Sequence, residues 1–113
     1  SRGLPGTLDR DWNSSDNSSC VTGNAQLAFF LRRFTEMTDR PGLETIADSL
    51  VDDLKAIHLV DGINDPNLKG GLWGADPIDG SYLPYCVPNW GVKFFADCLI
   101  QRLAPLDDQR FIG

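Results

Sequence analysis

The residues best suited to chemistry lie close together between positions 69 and 90. Four aromatic side chains, two carboxylates and one amide fall in this stretch: Trp73, Tyr82, Tyr85, Trp90, Asp76, Asp79 and Asn89. The flat face of an aromatic ring can stack on the CH face of a pyranose, while carboxylate and amide groups hydrogen-bond its hydroxyls. The stretch therefore predicts a ligand site for an oligosaccharide, formed by the aromatic residues and Asn89.

Asp76 and Asp79 are the candidates for catalysis. Glycoside hydrolysis uses two carboxylates about 5 Å or about 6.5–9.5 Å apart, and two aspartates in one loop can adopt such a separation. The plainer interpretation is that Asp79 binds its own backbone at the turn with Gly80, and that Trp73 and Trp90 anchor the loop in the core. The sequence leaves both interpretations open, so it does not decide between an enzyme and a non-catalytic binding domain.

Cysteine and histidine give little support for a metal site. The chain contains three cysteines, Cys20, Cys86 and Cys98, and one histidine, His58. An odd number of cysteines without a C-x-x-C pair argues against a disulfide framework and favours buried free thiols. A zinc site would need all four side chains to converge without a local pair of ligands. We therefore expect no metal and no cofactor, and we expect His58 to lie near the end of a helix.

The charge of the chain argues against two classes of partner. Its 113 residues include 10 Lys plus Arg and 16 Asp plus Glu, a formal net charge of −6. A nucleic-acid backbone or an anionic membrane surface would repel such a chain on average. No apolar run approaches the ~20 residues that cross a bilayer. We expect no nucleic-acid binding and no membrane span, and the acidic, leaderless sequence favours the cytoplasm.

Three amphipathic helices must position these side chains. Apolar residues recur at helical spacing over about 22–38, 43–58 and 88–103. The predicted apolar faces are Leu27, Phe30, Leu31, Phe34 and Met37 in the first helix, Leu43, Ile46, Ala47, Leu50, Val51, Leu54 and Ile57 in the second, and Trp90, Phe94, Ala96, Cys98, Leu99 and Leu103, with Phe95 alongside, in the third. These patterns predict an all-α fold in which the first two helices form an antiparallel hairpin.

The segments between and before the helices are long and rich in glycine and proline. Loops beyond about 15 residues in compact domains are usually functional or disordered, and residues 59–87 carry enough aromatic and aliphatic side chains to pack as one ordered loop. Asp79-Gly80 is a hairpin-type turn, which would allow short strand pairing inside this loop. Residues 1–20 are expected to form an irregular surface segment that Trp12 pins to the rest of the chain.

Several polar residues on the helices have plain interpretations. Thr22 or Asn24 can cap the first helix. Lys93 and Asp97 stand four residues apart and can form a helix ion pair. The second helix carries three aspartates that suit a solvated acidic face better than a magnesium site: Asp48, Asp52 and Asp53.

Four stretches of the sequence resemble one protein family. Residues 20–28 (CVTGNAQLA) resemble the start of a helix in bacterial α/α-toroid proteins of the terpenoid cyclase and protein prenyltransferase superfamily. Residues 70–74 (GGLWG), 79–82 (DGSY) and 88–97 (PNWGVKFFAD) are similar to the loop and the following helix of the same proteins. The glutamine of the cyclase turn repeats and the D-x-D-D acid motif are both missing, so cyclase chemistry is not implied.

The resemblance covers about residues 4–103 and implies a fold as well as a class of function. The fold is a toroid of helical hairpins around a central cleft, and it has several times as many helices as this chain. We therefore expect a single helical domain or a fragment of a larger toroid, completed by the remainder of the chain or by a homo-oligomer. The most similar members are linked to surface polysaccharides. The resemblance thus implies part of an enzyme or enzyme-like protein acting on a surface or acidic polysaccharide, and a non-catalytic protein- or glycan-interaction domain is the alternative.

Overall fold

The predicted helices form within one residue of their expected bounds. A computed structural model describes residues 3–103 of the protein. Its elements in chain order are β1 (Ser19–Cys20), α1 (Val21–Met37), α2 (Gly42–Ile57), β2 (Ala75–Asp76) and α3 (Asn89–Leu103). The described part of the chain is mostly helical, which confirms the all-α prediction at this level.

Helix α1 packs against both other helices. Small residues dominate its buried face, where Val21, Ala25 and Ala28 follow one another at helical spacing. The thiol of Cys98 on α3 donates a hydrogen bond to the backbone carbonyl of Ala25, with Sγ 3.1 Å from the oxygen. A side chain of α3 can reach this carbonyl because alanine leaves the helix surface open.

The buried faces of α1 and α3 differ from the predicted ones. Phe30 and Met37 on α1 are 57 % and 81 % exposed, and Leu103 on α3 is 88 % exposed. The buried residues of α3 are instead Gly91, Phe95, Asp97, Cys98 and Gln101. The predicted faces are thus wrong for four large side chains, Phe30, Met37, Trp90 and Leu103. They are right for Phe95 and Cys98 of α3, which are buried, and Leu27, Leu31, Phe94 and Leu99 pack partly buried against the core.

Helix α2 buries the face that its sequence predicts. Ala47, Leu50, Val51 and Leu54 are all buried. Ile46, which was assigned to the same face, is 50 % exposed. The period of α2 is regular enough for its core face to be identified without knowledge of its neighbours.

Two of the three aspartates on α2 contact arginines from the neighbouring helices. Arg32 of α1 lies 3.3 Å from carboxylate oxygens of both Glu44 and Asp48. Arg102 of α3 lies 3.5 Å from Asp48 and from Asp52. The predicted solvated acidic face is confirmed for Asp52 and Asp53, which are exposed, whereas the partly buried Asp48 links α2 to both other helices. Such partly exposed pairs contribute up to about 1 kcal/mol each.

The predicted Lys93–Asp97 ion pair forms on α3. The Asp97 side chain is only 8 % exposed, whereas that of Lys93 is 48 % exposed. The Lys93 ammonium also lies 4.6 Å from the centre of the Phe94 ring. The lysine thus brings a positive charge to a carboxylate that is buried in the helix packing, which is a structural role.

A short antiparallel ladder joins the N-terminal segment to the long loop. Strand β1 pairs with β2 in the register Ser19 opposite Asp76 and Cys20 opposite Ala75. A turn forms one residue earlier than expected, since the amide of Gly80 donates to the carbonyl of Pro77 at 2.9 Å and Ile78 and Asp79 are its central residues. The strand pairing that this turn would allow inside the loop does not form at β2, because β2 pairs with the residues that precede α1.

Polar contacts, and not Trp12, hold the N-terminal segment in place. Trp12 is 80 % exposed, so the prediction that it pins the segment is wrong. The Leu4 amide donates to Asn24 Oδ1 at 2.7 Å, and Asn24 Nδ2 donates to Ser19 Oγ at 2.8 Å. Asn24 is therefore a buried connection to the N-terminal segment and not the helix cap that was predicted.

The three cysteines are free and have different surroundings. Cys98 is buried, and this burial raises the pKa of its thiol to about 11. Cys20, and not Thr22, caps α1, because its Sγ accepts a hydrogen bond from the Gly23 amide at 3.3 Å. Cys86 is exposed. The expectation of buried thiols is thus confirmed for Cys98 and wrong for Cys86.

Candidate ligand-binding cleft

The long loop returns to the C-terminal end of α2 and is fastened there. The Gly70 amide donates to the carbonyl of Leu59 at 2.7 Å, and the Leu59 amide donates to that of Gly71 at 3.1 Å. Gly70 has a φ of +85°, a conformation that glycine adopts without steric cost. His58 lies at the end of α2, as predicted, and its Nε2 is 3.0 Å from the Gly70 carbonyl oxygen. Residues 59–71 thus form a closed turn.

The chain then enters β2 through Gly74, which is held from both sides. Its carbonyl accepts from the Val21 amide at 3.1 Å, and its amide donates to the Cys86 carbonyl at 2.8 Å. A Cβ at this position would lie 2.8 Å from the Cβ of Leu83, so no larger residue fits without a shift. These contacts fix the backbone on both sides of Gly74, where Trp73 and Asp76 lie.

A cleft of about 310 Å³ opens between the end of α2 and β2. The side chains most relevant to ligand binding in its lining are Trp73, His58, Asp61, Asp76, Ile57 and Ile78. Two predicted site residues, Trp73 and Asp76, therefore share one cleft. Asp61 and His58 join them there. Sequence reasoning missed Asp61 as a site residue because it lies outside the aromatic stretch, and its only signal is its place at a turn after α2.

A second cleft, of about 210 Å³, adjoins the first. The residues that line both clefts are Ala56, Ile57 and Asp76. The second cleft extends along α2 to Asp53 and across to Ser19 and Asn24. Because Asp76 borders both clefts, we treat them as one surface and call it the α2 groove.

Tyr82 and Trp90 meet each other at another place. The indole Nε1 of Trp90 donates to the Tyr82 hydroxyl at 3.2 Å. Trp90 is 47 % exposed, so it does not anchor the loop in the core. Tyr82 and Trp90 therefore form a separate pair of aromatic groups.

The remaining predicted site residues are all exposed. Tyr85 is 67 % exposed and has a φ of +58°, Asn89 begins α3, and Asp79 follows Ile78 in the loop. Among residues 3–103, the lining of the α2 groove includes Trp73 and Asp76 but not the other five predicted residues. The aromatic stretch that looked like one site in the sequence is thus divided in space.

A carboxylate outside the groove ties the loop to the N-terminal segment. Asp16 accepts hydrogen bonds from the Ser18 hydroxyl at 2.6 Å and from the Ser18 amide at 2.8 Å. It also accepts one from the hydroxyl of Ser81. Because the hydrogen bonds from Ser18 and Ser81 stabilise the charged carboxylate, the pKa of Asp16 is lowered from 3.8 to about 2.

We expect the Asp16 contacts to persist to strongly acidic pH. A group whose pKa is lowered by folding contributes stability above its unfolded pKa and loses that contribution as pH falls through the folded value. The contribution should therefore be complete above about pH 4 and lost towards pH 2. The Ser18 amide resonance should titrate with a midpoint near pH 2, and Asp16→Asn should abolish this step. A midpoint near 3.8 would show that the hydrogen bonds do not hold the carboxylate.

Comparison with known proteins identifies no relative, so a function has to be inferred from the geometry of the structure. No protein-family model matches the sequence, and no curated protein or solved structure is significantly similar to it. Within residues 3–103, no group of three or more His, Cys, Asp or Glu side chains is arranged to hold a metal ion. The helices of this described range also include none that is long and apolar enough to cross a membrane.

Proposed function

We propose that the α2 groove binds carbohydrate. The observation that carries this proposal is the position of Trp73, Asp61 and Asp76 in the lining of one cleft of about 310 Å³. A half-buried indole offers a flat apolar face to the CH groups of a pyranose, and carboxylates accept hydrogen bonds from its hydroxyls. Small-molecule sites typically combine such apolar walls with a few polar groups that fix orientation.

The walls of this cleft are supported from outside, which favours binding. The bond between His58 and the Gly70 carbonyl holds the turn that carries Asp61. The pairing of β2 with β1 holds Asp76. A ligand therefore does not have to order these segments when it binds, and this lowers the entropic cost of association.

The indole N–H resonances provide a direct test of this proposal. Trp12 is 80 % exposed, Trp73 lines the groove, and Trp90 is bonded to Tyr82, so the three signals report from different places. We expect a saturable shift of the Trp73 signal when a panel of oligosaccharides is titrated. Trp73→Ala should weaken binding about tenfold or more, as for a central aromatic contact. Trp12→Ala is the matched control and should leave the affinity unchanged.

Two other outcomes of this titration would contradict the proposed site. A saturable shift of the Trp90 signal alone would move sugar binding to the pair formed by Tyr82 and Trp90. Unchanged Trp73 and Trp90 signals with every oligosaccharide, in a sample shown to be folded, would argue against carbohydrate binding altogether and favour a protein-interaction domain.

A second candidate function is cleavage of the bound glycan. It is favoured by the presence of two carboxylates, Asp61 and Asp76, in the same cleft. Glycosidases use such a pair on opposite sides of the scissile bond. If this function is correct, mass spectrometry should detect shortened products, and Asp61→Asn or Asp76→Asn should each abolish them. Oligosaccharides that bind but stay intact would identify the protein as a non-catalytic binding domain.

We also propose that the helices belong to a toroid of helical hairpins. Two contacts support an antiparallel hairpin of α1 and α2. Arg32, in the second half of α1, lies beside Glu44 near the start of α2. The first residues of α1 line the groove together with the last residues of α2. The exposed Phe30 and Met37 are side chains that a further hairpin or a second copy would cover. Light scattering should then give a mass above that of one chain, which Phe30→Asp should reduce. A single-chain mass would contradict assembly from copies.

A further inference from the structure

The α2 groove is lined by carboxylates that the protein itself does not neutralise. Asp53, Asp61 and Asp76 border it, and among the described residues its lining contains no lysine or arginine. The one imidazole in the lining, that of His58, is engaged with the carbonyl of Gly70. The groove therefore attracts a cationic group and repels an anionic one.

Of the three aspartates on α2, the two that lie outside the groove have cationic partners. Asp48 and Asp52 lie within 3.5 Å of arginine nitrogens from the neighbouring helices. Within residues 3–103, no lysine or arginine forms an ion pair with Asp53, Asp61 or Asp76. Asp52 and Asp53 are adjacent on α2, but within residues 3–103 only Asp52 has a basic side chain beside it.

We propose that the α2 groove takes a glycan with free amino groups. This inference rests on the proposed carbohydrate function, in which Trp73 stacks on one sugar ring in the larger cleft. The amino group lies in the smaller cleft, between Asp53 on α2 and Asp76 on β2, both of which line it. Because Asp76 borders both clefts, one ligand can contact Trp73 and the carboxylate pair at the same time.

Two oligosaccharides that differ only in the amino group test this inference. A short glucosamine oligomer and its N-acetylated form have the same length and linkage, but only the first carries ammonium groups below neutral pH. Titration calorimetry at low ionic strength should give about five- to tenfold tighter binding for the glucosamine oligomer. The preference should shrink in concentrated NaCl, because salt screens the charges. A uronic-acid oligomer of the same length should bind most weakly.

Adjacent aspartates on α2 provide a matched pair of variants. Asp53→Asn removes a carboxylate from the groove and should abolish most of the preference for the amine. Asp52→Asn makes the same change in net charge outside the groove and should retain the preference. Both side chains are exposed, so neither variant threatens the core.

The possible outcomes separate this inference from the proposed function. Equal affinity of the wild-type protein for both oligomers would overturn the amine inference and leave carbohydrate binding intact. An equal loss of preference in Asp52→Asn and Asp53→Asn would overturn it as well, since the attraction would then come from net charge. No binding of any oligomer would overturn both.

Discussion

Phe95→Ala should lower the free energy of unfolding by about 3–5 kcal/mol. Phe95 is 2 % exposed and belongs to the core cluster that also contains Leu54 and Leu72. Its ring meets the imidazole of His58 edge-on, with 5.1 Å between the ring centres. Truncation removes buried apolar surface and leaves a cavity that three helices packed on one another can close only in part. Urea unfolding followed by circular dichroism would measure the change.

Phe30→Ala is the matched control for this experiment. Phe30 is also a helical phenylalanine, but it is 57 % exposed and stacks on Phe34 with 5.7 Å between the ring centres. Its truncation should cost about 1 kcal/mol or less when both variants are unfolded at a concentration where the chain is monomeric. If Phe95→Ala does not fold, Phe95→Leu keeps most of the buried volume and should still be less stable than the control. Equal losses at both positions would contradict the assignment of Phe95 to the core.

The helices could be predicted from the sequence because their signals are local. Apolar periodicity correctly predicted all three helices, and for α2 it also predicted the buried face. For α1 and α3 the same reasoning identified only part of the buried face, since the face that a helix buries depends on how closely its neighbour approaches. Cys98 contacts the α1 backbone at Ala25, whereas Phe30 and Met37 lie on another side of α1 and are exposed. Periodicity alone does not show which of several apolar side chains on a helix a neighbouring helix will cover.

The site was only partly predictable, for a related reason. Trp73 and Asp76 are three residues apart, so a stretch of aromatic and acidic residues was enough to single them out. Asp53 and Asp61 reach the groove only because the loop returns to α2 and because β2 pairs with β1, whose residues are more than fifty positions away. No periodicity or motif in the sequence encodes that return. The contacts that create it are single hydrogen bonds and close approaches of the backbone.

Gly80→Ala should destabilise the protein by about 1–3 kcal/mol, because Gly80 lies tightly against Ser18 and Ala75. A Cβ at this position would clash with the Cβ of Ser18 and lie 2.8 Å from the Cβ of Ala75. Both neighbours belong to or adjoin the β1–β2 ladder, so neither can move without disturbing the pairing. Because Asp76 lies in that ladder, the variant should also bind the oligosaccharide more weakly under conditions in which it is folded.

Gly42→Ala separates this steric effect from the general effect of replacing glycine. Gly42 is the first residue of α2, and a Cβ there would meet nothing within 4 Å. Alanine favours the helix at such a position, so the variant should be unchanged or more stable by up to about 1 kcal/mol. Thermal unfolding of both variants, with oligosaccharide titration at a temperature where both are folded, makes the comparison. If Gly80→Ala were as stable as Gly42→Ala, the loop would not be seated against Ser18 and Ala75. If it were less stable but bound normally, the groove would not depend on the ladder that carries Asp76.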